Sequence, residues 1–334
     1  MPRIKKTKTM EDIIIDYLDN CSYRELSKKT IKSYYQTLML LKCYLEEEKG
    51  ITNFNNVTGD IIEEYIEFTK ERGKYSYTST IEGSIKANIE KRGDIGLEIS
   101  ITTLNNYLRN IKAFFSWMEE NKLIRNNSVK KCKYIKQVRT SKEQLTDAEF
   151  NRLIKSIDIT KYHEFRDYTI INLIFDSGMR LGETLNLTIH DIDLVRRTIV
   201  IPSEITKGKK ERVVFFSESM YKLLSRWIRY KDSIVDTELL FPAQRSNGVL
   251  AVTNFERNFR GYLSRAKINK KISPHNLRNN FGRRFLISGG DIFTLSKILG
   301  HSSVTVTEKA YADLLDEDLR RKYSRYSPLE NLNK

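Results

Sequence analysis

The sequence predicts a mainly α protein of two domains, an N-terminal helical bundle followed by a mixed α+β domain with a small β-hairpin or sheet. Three observations lead there. Apolar residues recur at three- and four-residue spacing over most of the 334 positions. A basic segment of weak periodicity interrupts them near residue 130, and a fresh helix-capping signal follows it. One pair of short β-rich runs, RRTIVIP and ERVVFFS, flanks TKGKK as the strands of a hairpin flank their turn. A chain of this length can build two ordinary domains, each burying its own core.

The first domain is read as residues 1–126. The runs TMEDIIIDYLDNC, LSKKTIKSYYQTLMLLKCYLEEE and VTGDIIEEYIEFTKERG predict three amphipathic helices, with Ser27 and Thr58 as N-caps. In the second of these, Ile31, Tyr34, Tyr35, Leu38 and Leu41 form the apolar stripe. Residues 75–99 lack firm periodicity and read as an excursion inside the domain. The run SITTLNNYLRNIKAFFSWMEENKLI then predicts a fourth helix, its stripe made by Leu104, Leu108, Ile111, Phe114, Phe115 and Met118. Residues 127–143 read as a basic interdomain linker; Lys130, Lys131, Lys133, Lys136 and Arg139 in it fit a DNA backbone, and equally a solvated charge run. The second domain, residues 144–334, opens at LTDAEFNRLIKSI, where Thr146 and Glu149 have the spacing of a capping box. A helix over EFRDYTIINLIFDSG, the segment MRLGETLNLTIHDID and the hairpin follow, and helices dominate the rest.

Composition narrows the partner. There are 58 Lys and Arg against 43 Asp and Glu, a net charge of +15, with the acidic residues interspersed. That describes a folded basic protein and makes a polyanion the leading partner. An anionic membrane would need a basic amphipathic helix with a strongly apolar face or a lipidation signal, and no run reaches the roughly 20 apolar residues of a membrane span. MPRIKKTKTM has no apolar signal-peptide core behind its charges. Cys21, Cys43 and Cys132 are odd in number, far apart and without CxxC spacing, so neither disulfides nor zinc are expected. The expectation is a nucleic-acid-binding protein of the reducing cytoplasm, associated with the nucleoid.

Several residues could carry chemistry, and each alone has a plainer reading. In SGMRLGETLNL, Arg180 stands at a helix junction, where it could face a phosphate, neutralise the C-terminal dipole of a helix or pair with Glu183. In IPSEITKGKKERVVFF, Lys207 and Gly208 sit at the tip of a ribbon that Lys209, Lys210 and Arg212 make basic: a projection able to enter a groove, or a soluble turn. In SPHNLRNNFGRRFL, His275 and Arg278 are three apart in the first turn of a helix begun by Ser273 and Pro274, an arrangement that suits an anion better than a core. Gly300 can end the next helix, with His301 after it and Tyr311 ten positions on, as functional groups or as a cap and a packed ring.

The order of these groups resembles the tyrosine recombinase (phage integrase) family. The family's GxRxxE is matched by GMRLGE with Arg180 and Glu183, its hairpin lysine by Lys207 of TKGKKER, its HxLR by His275, Leu277 and Arg278, its LGHxS by Leu299 to Ser303, and its nucleophile by Tyr311. The first domain resembles the family's core-binding bundle. Asn279, where many members carry histidine, and the ten-residue step from His301 to Tyr311, where many have nine, depart from the pattern.

The resemblance implies a C-terminal catalytic domain of the tyrosine recombinase type and a site-specific DNA recombinase that works through a 3′-phosphotyrosyl intermediate, with no metal, ATP or other cofactor. Arg180, Arg278 and His301 would hold the phosphate, His275 would act as base and Lys207 as acid. Tyr323 and Tyr326 are lesser candidates for the nucleophile. Double-stranded DNA with inverted-repeat core sites is the implied partner, bound by a homotetramer that is monomeric or dimeric when free, with scope for an accessory directionality factor. MPRIKKTKTMEDI leads almost directly into the bundle, so no separate arm-binding domain is expected. The rivals are a type IB topoisomerase and a DNA-binding protein without catalysis.

Overall fold

The computed structural model describes residues 8–75, 93–137, 143–206 and 208–311, with 323, 327, 329 and 332 beyond them. The chain divides into two compact units, residues 1–139 and 140–334.

Unit one is built from helices α1 (Met10–Tyr23), α2 (Lys28–Glu47), α3 (Gly59–Arg72) and α4 (Ile101–Glu120). Each starts at a hydroxyl N-cap, from Thr9, Ser27, Thr58 and Ser100, whose oxygen accepts an otherwise unpaired first-turn N–H. The whole stripe expected on α4 is buried. On α2 the stripe is buried at Leu38 and Leu41 but only partly at Ile31, Tyr34 and Tyr35, because they lie in the first two turns, at the margin of the core. Tyr17, Phe54, Phe114 and Phe115 meet edge to face at the centre.

Two expectations need restating. Residues 76–92 of the unpatterned excursion lie outside the described residues, but its ends are tied: the Lys74 N–H donates to the Leu97 carbonyl at 2.9 Å, and the Gly96 N–H to the Lys74 carbonyl at 2.7 Å. The segment read as a linker from residue 127 is packed on unit one as far as Gln137. Val129 and Cys132 are buried there, and Asn105 bonds both the N–H and the carbonyl of Ile135, each at 2.9 Å. Its scattered apolar residues lack helical spacing because they anchor a short turn, Ser128–Lys131, and an irregular strand.

Unit two begins with α5 (Asp147–Lys155), capped by the predicted Thr146–Glu149 box. Helix α6 (Tyr162–Ser177) is buried on most sides, with Phe165, Ile170, Ile171, Leu173 and Ile174 in the core, as befits a central helix. The short α7 (Leu181–Leu185) leads to an antiparallel sheet of β1 (Ile192–Asp193), β2 (Thr198–Ile201) and β3 (Arg212–Phe215), in that order. The β2–β3 pair is the expected hairpin, in register Ile199 to Val214 and Ile201 to Arg212. Helices α8 (Glu218–Asp232), α9 (Val252–Arg265), α10 (Pro274–Ile287), α11 (Ile292–Leu299) and α12 (Val304–Tyr311) complete it. Helices α8 and α10 pack on α6, so the start of α10 meets the end of α6. Leu286, Leu295, Leu299 and Tyr311 form a smaller cluster joining α10, α11 and α12.

Candidate active site

The site gathers where α6 and α11 end and α7 and α10 begin. Gly178 closes α6 in the left-handed conformation, φ +70°, and turns the chain into Arg180, the extended N-cap of α7. The Arg180 backbone N–H and Nη1 donate to Glu183 at 3.0 and 2.8 Å. Arg212 reaches the same carboxylate from β3, through Nη1 at 3.0 Å and Nη2 at 2.5 Å. Glu183, 2% exposed, therefore holds two guanidinium groups side by side. Of the readings left open for Arg180, pairing with Glu183 is observed, and its side chain is still 30% exposed.

Three arginines converge on the C-terminal carbonyls of α11. Arg212 Nε donates to Ile298 at 3.1 Å, Arg278 Nη2 to Leu299 at 2.7 Å, and Arg180 Nη2 lies 3.4 Å from the Gly300 oxygen. These carbonyls have no partner within the helix and form its negative end, so they can hold cations together that would otherwise repel. Gly300, with φ +63°, closes α11, and any Cβ there would lie 2.7 Å from the Arg212 side chain.

Arg278 is the buried member, 2% exposed. Its Nη1 donates to the Gly178 carbonyl at 2.7 Å, and Nη2 also meets His301 Nε2 at 3.2 Å. Burial, reinforced by the charges of Arg180 and Arg212, lowers its pKa to about 9. His301 is pushed down to about 4 by burial, then by Arg278, Arg180, Arg212 and His275. Its Nδ1 lies 2.7 Å from the Thr307 hydroxyl on α12. Burial works against the charge of Glu183, but the hydrogen bonds and charge of Arg212, then the bonds from Arg180, outweigh it and hold the carboxyl below its ordinary range.

His275, exposed, follows Pro274 in the first turn of α10, where Ser273 and Asn276 exchange the bonds of a capping box. Tyr311 ends α12, 6% exposed, and is among the groups acting on the Arg278 guanidinium. Lys207 and Arg139 lie outside the described residues, as does Tyr326; Tyr323 is exposed.

Of the basic residues expected on DNA, Lys131, Lys133, Lys136, Lys209 and Lys210 are exposed, and Lys130 pairs with Glu119. Arg212 is a correction: its side chain is only 9% exposed, and its donors are engaged by Glu183 and Ile298, so it braces the site from within. Its position after the lysine-rich turn concealed this, since the sequence does not show which way a strand residue faces. Thr307 has no motif of its own that would mark it in the sequence. Among the described residues, no group of His, Cys, Asp or Glu is placed to hold a metal ion, and no helix is long and apolar enough to cross a membrane.

Residues 143–318 match the phage integrase family, and residues 14–83 match the phage integrase N-terminal SAM-like domain. The chain belongs to the phage integrase family and is a tyrosine-type site-specific DNA recombinase. It is 26% identical over 292 residues to tyrosine recombinase XerC of Bacillus subtilis, covering 85% of this chain and 94% of that one. To tyrosine recombinase XerD of Staphylococcus epidermidis it is 24% identical over 324 residues, covering 96% and 99%. Its fold is similar to that of XerH recombinase bound to a palindromic difH substrate, at a TM-score of 0.67 and 20% identity, covering 92% of this chain and 82% of that one.

Proposed function

We propose that the chain cleaves DNA by attack of the Tyr311 hydroxyl on a backbone phosphate and rejoins it by the reverse step. The convergence of Arg180, Arg278 and His301 at the end of α11, with Tyr311 in the cluster that continues it, is the observation that carries this reading.

An ordinary tyrosine hydroxyl is a poor nucleophile at neutral pH, so its proton has to leave during attack. His275 accepts it. The Tyr311 oxygen forms a bond to phosphorus while the bond to the 5′ oxygen breaks, leaving a 3′-phosphotyrosyl link and a 5′ hydroxyl. Lys207 gives the departing oxygen its proton, a role that rests on the resemblance of its hairpin. Arg278 stays charged at neutral pH even with its pKa lowered to about 9, and with Arg180 it opposes the charge that builds on the non-bridging oxygens. His301 adds one donor. The covalent link conserves the bond energy, so religation needs no nucleotide, and the residues in these roles need no metal ion.

The substrate would be double-stranded DNA with inverted-repeat core sites, bound by four copies of the chain in the cytoplasm, with an accessory factor able to set direction. Lys131, Lys133, Lys136, Lys209 and Lys210 would follow the DNA backbone. The test is a nicked suicide substrate carrying the element's own ends. Wild type should form a covalent adduct, and Tyr311→Phe should lose it while binding DNA nearly unchanged. Adducts from Tyr311→Phe would move the nucleophile elsewhere, and no adduct from wild type would leave a DNA-binding protein. Relaxation without strand exchange between two marked sites would indicate a topoisomerase.

A further inference from the structure

His301 is gripped at both ring nitrogens. An arginine can only donate, so the 3.2 Å contact from Arg278 Nη2 makes His301 Nε2 an acceptor, and the neutral ring must carry its hydrogen on Nδ1. That hydrogen points at Thr307 Oγ1, 2.7 Å away. Thr307 is fully buried and lies four residues before Tyr311, on the same side of α12.

In this arrangement the Nε2 lone pair faces Arg278 and the ring has no hydrogen on that nitrogen to give a phosphate. To serve as a donor, the ring has to gain a hydrogen on Nε2, by taking up a proton or by changing tautomer. In the first case Thr307 goes on accepting from Nδ1; in the second its hydroxyl rotates and donates to Nδ1. A hydroxyl can do both, whereas a carboxylate or carbonyl could only accept. Arg278, Arg180, Arg212 and His275 are the charged and titratable groups that act on the ring and oppose a positive charge on it until an anion arrives.

We infer that Thr307 is a positioning residue for DNA cleavage: its hydroxyl holds the His301 ring through the change in protonation that phosphate binding demands, and ties that ring to the helix carrying Tyr311. The inference rests on the reading of His301 as a phosphate donor.

The chain has four histidines, so nitrogen-15 histidine NMR of the full-length, DNA-free protein can follow His301 once it is assigned by His301→Asn. Wild type and Thr307→Ser should show one tautomer with the hydrogen on Nδ1. Thr307→Val should show averaged shifts or the other tautomer, and a spectrum unchanged from wild type would overturn the inference. On the suicide substrate, Thr307→Val should slow adduct formation roughly 10- to 100-fold, the range found when a group that orients a metal-bound histidine is lost. DNA affinity should be kept, and Thr307→Ser should stay within about threefold of wild type if orientation alone is at stake. Combined with His301→Asn, Thr307→Val should cost nothing more; a full additional loss would mean that Thr307 only supports α12 and would refute the inference. Wild type that forms no adduct at all would remove the reading of the site, and with it the role in cleavage, while the NMR comparison would still decide whether Thr307 holds the ring.

Discussion

The ring of Tyr311 lies directly on the backbone of α10 at Gly282: a Cβ there would fall 2.0 Å from the tyrosine oxygen and 2.3 Å from Cζ. Glycine inside a helix ordinarily costs up to about 1 kcal/mol relative to alanine, so Gly282→Ala on an open face would stabilise the protein. Here the clash should win and destabilise it by about 1 to 3 kcal/mol, the usual cost of overpacking. With the ring removed by Tyr311→Ala, the same substitution should be stabilising by about 0.5 to 1 kcal/mol. Denaturation of the four proteins measures both effects, and an equal effect in the two backgrounds would show that glycine and ring do not meet.

Glu183 holds Arg180 and Arg212 together, so Glu183→Gln should affect both stability and chemistry. Removing one partner of a buried ion pair costs about 3 to 5 kcal/mol; glutamine can still accept one bond, which brings the expected loss to about 2 to 4 kcal/mol. Arg180 should lose its fixed place, and adduct formation should fall by roughly tenfold or more. Chemical denaturation and the suicide-substrate assay read the two effects separately, and a variant as stable as wild type would mean that the arginines do not depend on this carboxylate.

The parts of the fold that sequence predicts are those governed by local periodicity. Leu104, Leu108, Ile111 and Phe115 in α4 mark their buried face by spacing alone, and Thr146 with Glu149 marks the start of α5. Residues 127–137 show no packing signal in the sequence because an irregular segment can be firmly packed with no repeat to betray it. In the site, Arg180, Arg278, His301 and Tyr311 are legible because their order and neighbours form motifs. Arg212 and Thr307 are not, since their roles depend on which segments meet. Ile298, which receives Arg212, is 86 residues away, and Gly300, next to Arg180, is 120 residues away.

Acid should weaken the fold through His301 before the carboxylates titrate. Its pKa in the folded protein is about 4, below the ordinary 6.5, so the fold favours the neutral ring. The stability this carries is complete above pH 6.5 and is lost as the pH falls from there towards 4. Between pH 7 and 5 the loss assigned to His301 should be about 1 kcal/mol, less than the full shift would give, because the ring is only partly buried. Urea denaturation at both pH values, with wild type and His301→Asn, isolates it; parallel pH dependence in the two proteins would exclude His301 as the source.

A second buried charge network, away from the site, should dominate the stability of unit two. Asp167, with no exposed surface, accepts from Arg166 Nε and Nη2 at 3.0 and 2.9 Å through one oxygen, and from Asn258 and the Tyr262 hydroxyl at 2.9 and 2.8 Å through the other. The latter two partners lie on α9, 91 and 95 residues along the chain, so the carboxylate pins α9 to α6. Asp167→Ala would strand a guanidinium that is 3% exposed and that, among the described residues, keeps only the Pro242 carbonyl, at 3.0 Å from Nη1. The expected cost is about 3 to 5 kcal/mol, whereas Tyr262→Phe, which removes one hydrogen bond and leaves the ion pair, should cost about 1 kcal/mol. Replacing Arg166 and Asp167 together by Met and Leu should recover much of the loss, because the penalty comes from the charge left unpaired more than from the pair forgone. Denaturant midpoints of the three variants test the ranking, and an Asp167→Ala protein no weaker than Tyr262→Phe would mean that the network is hydrated in solution.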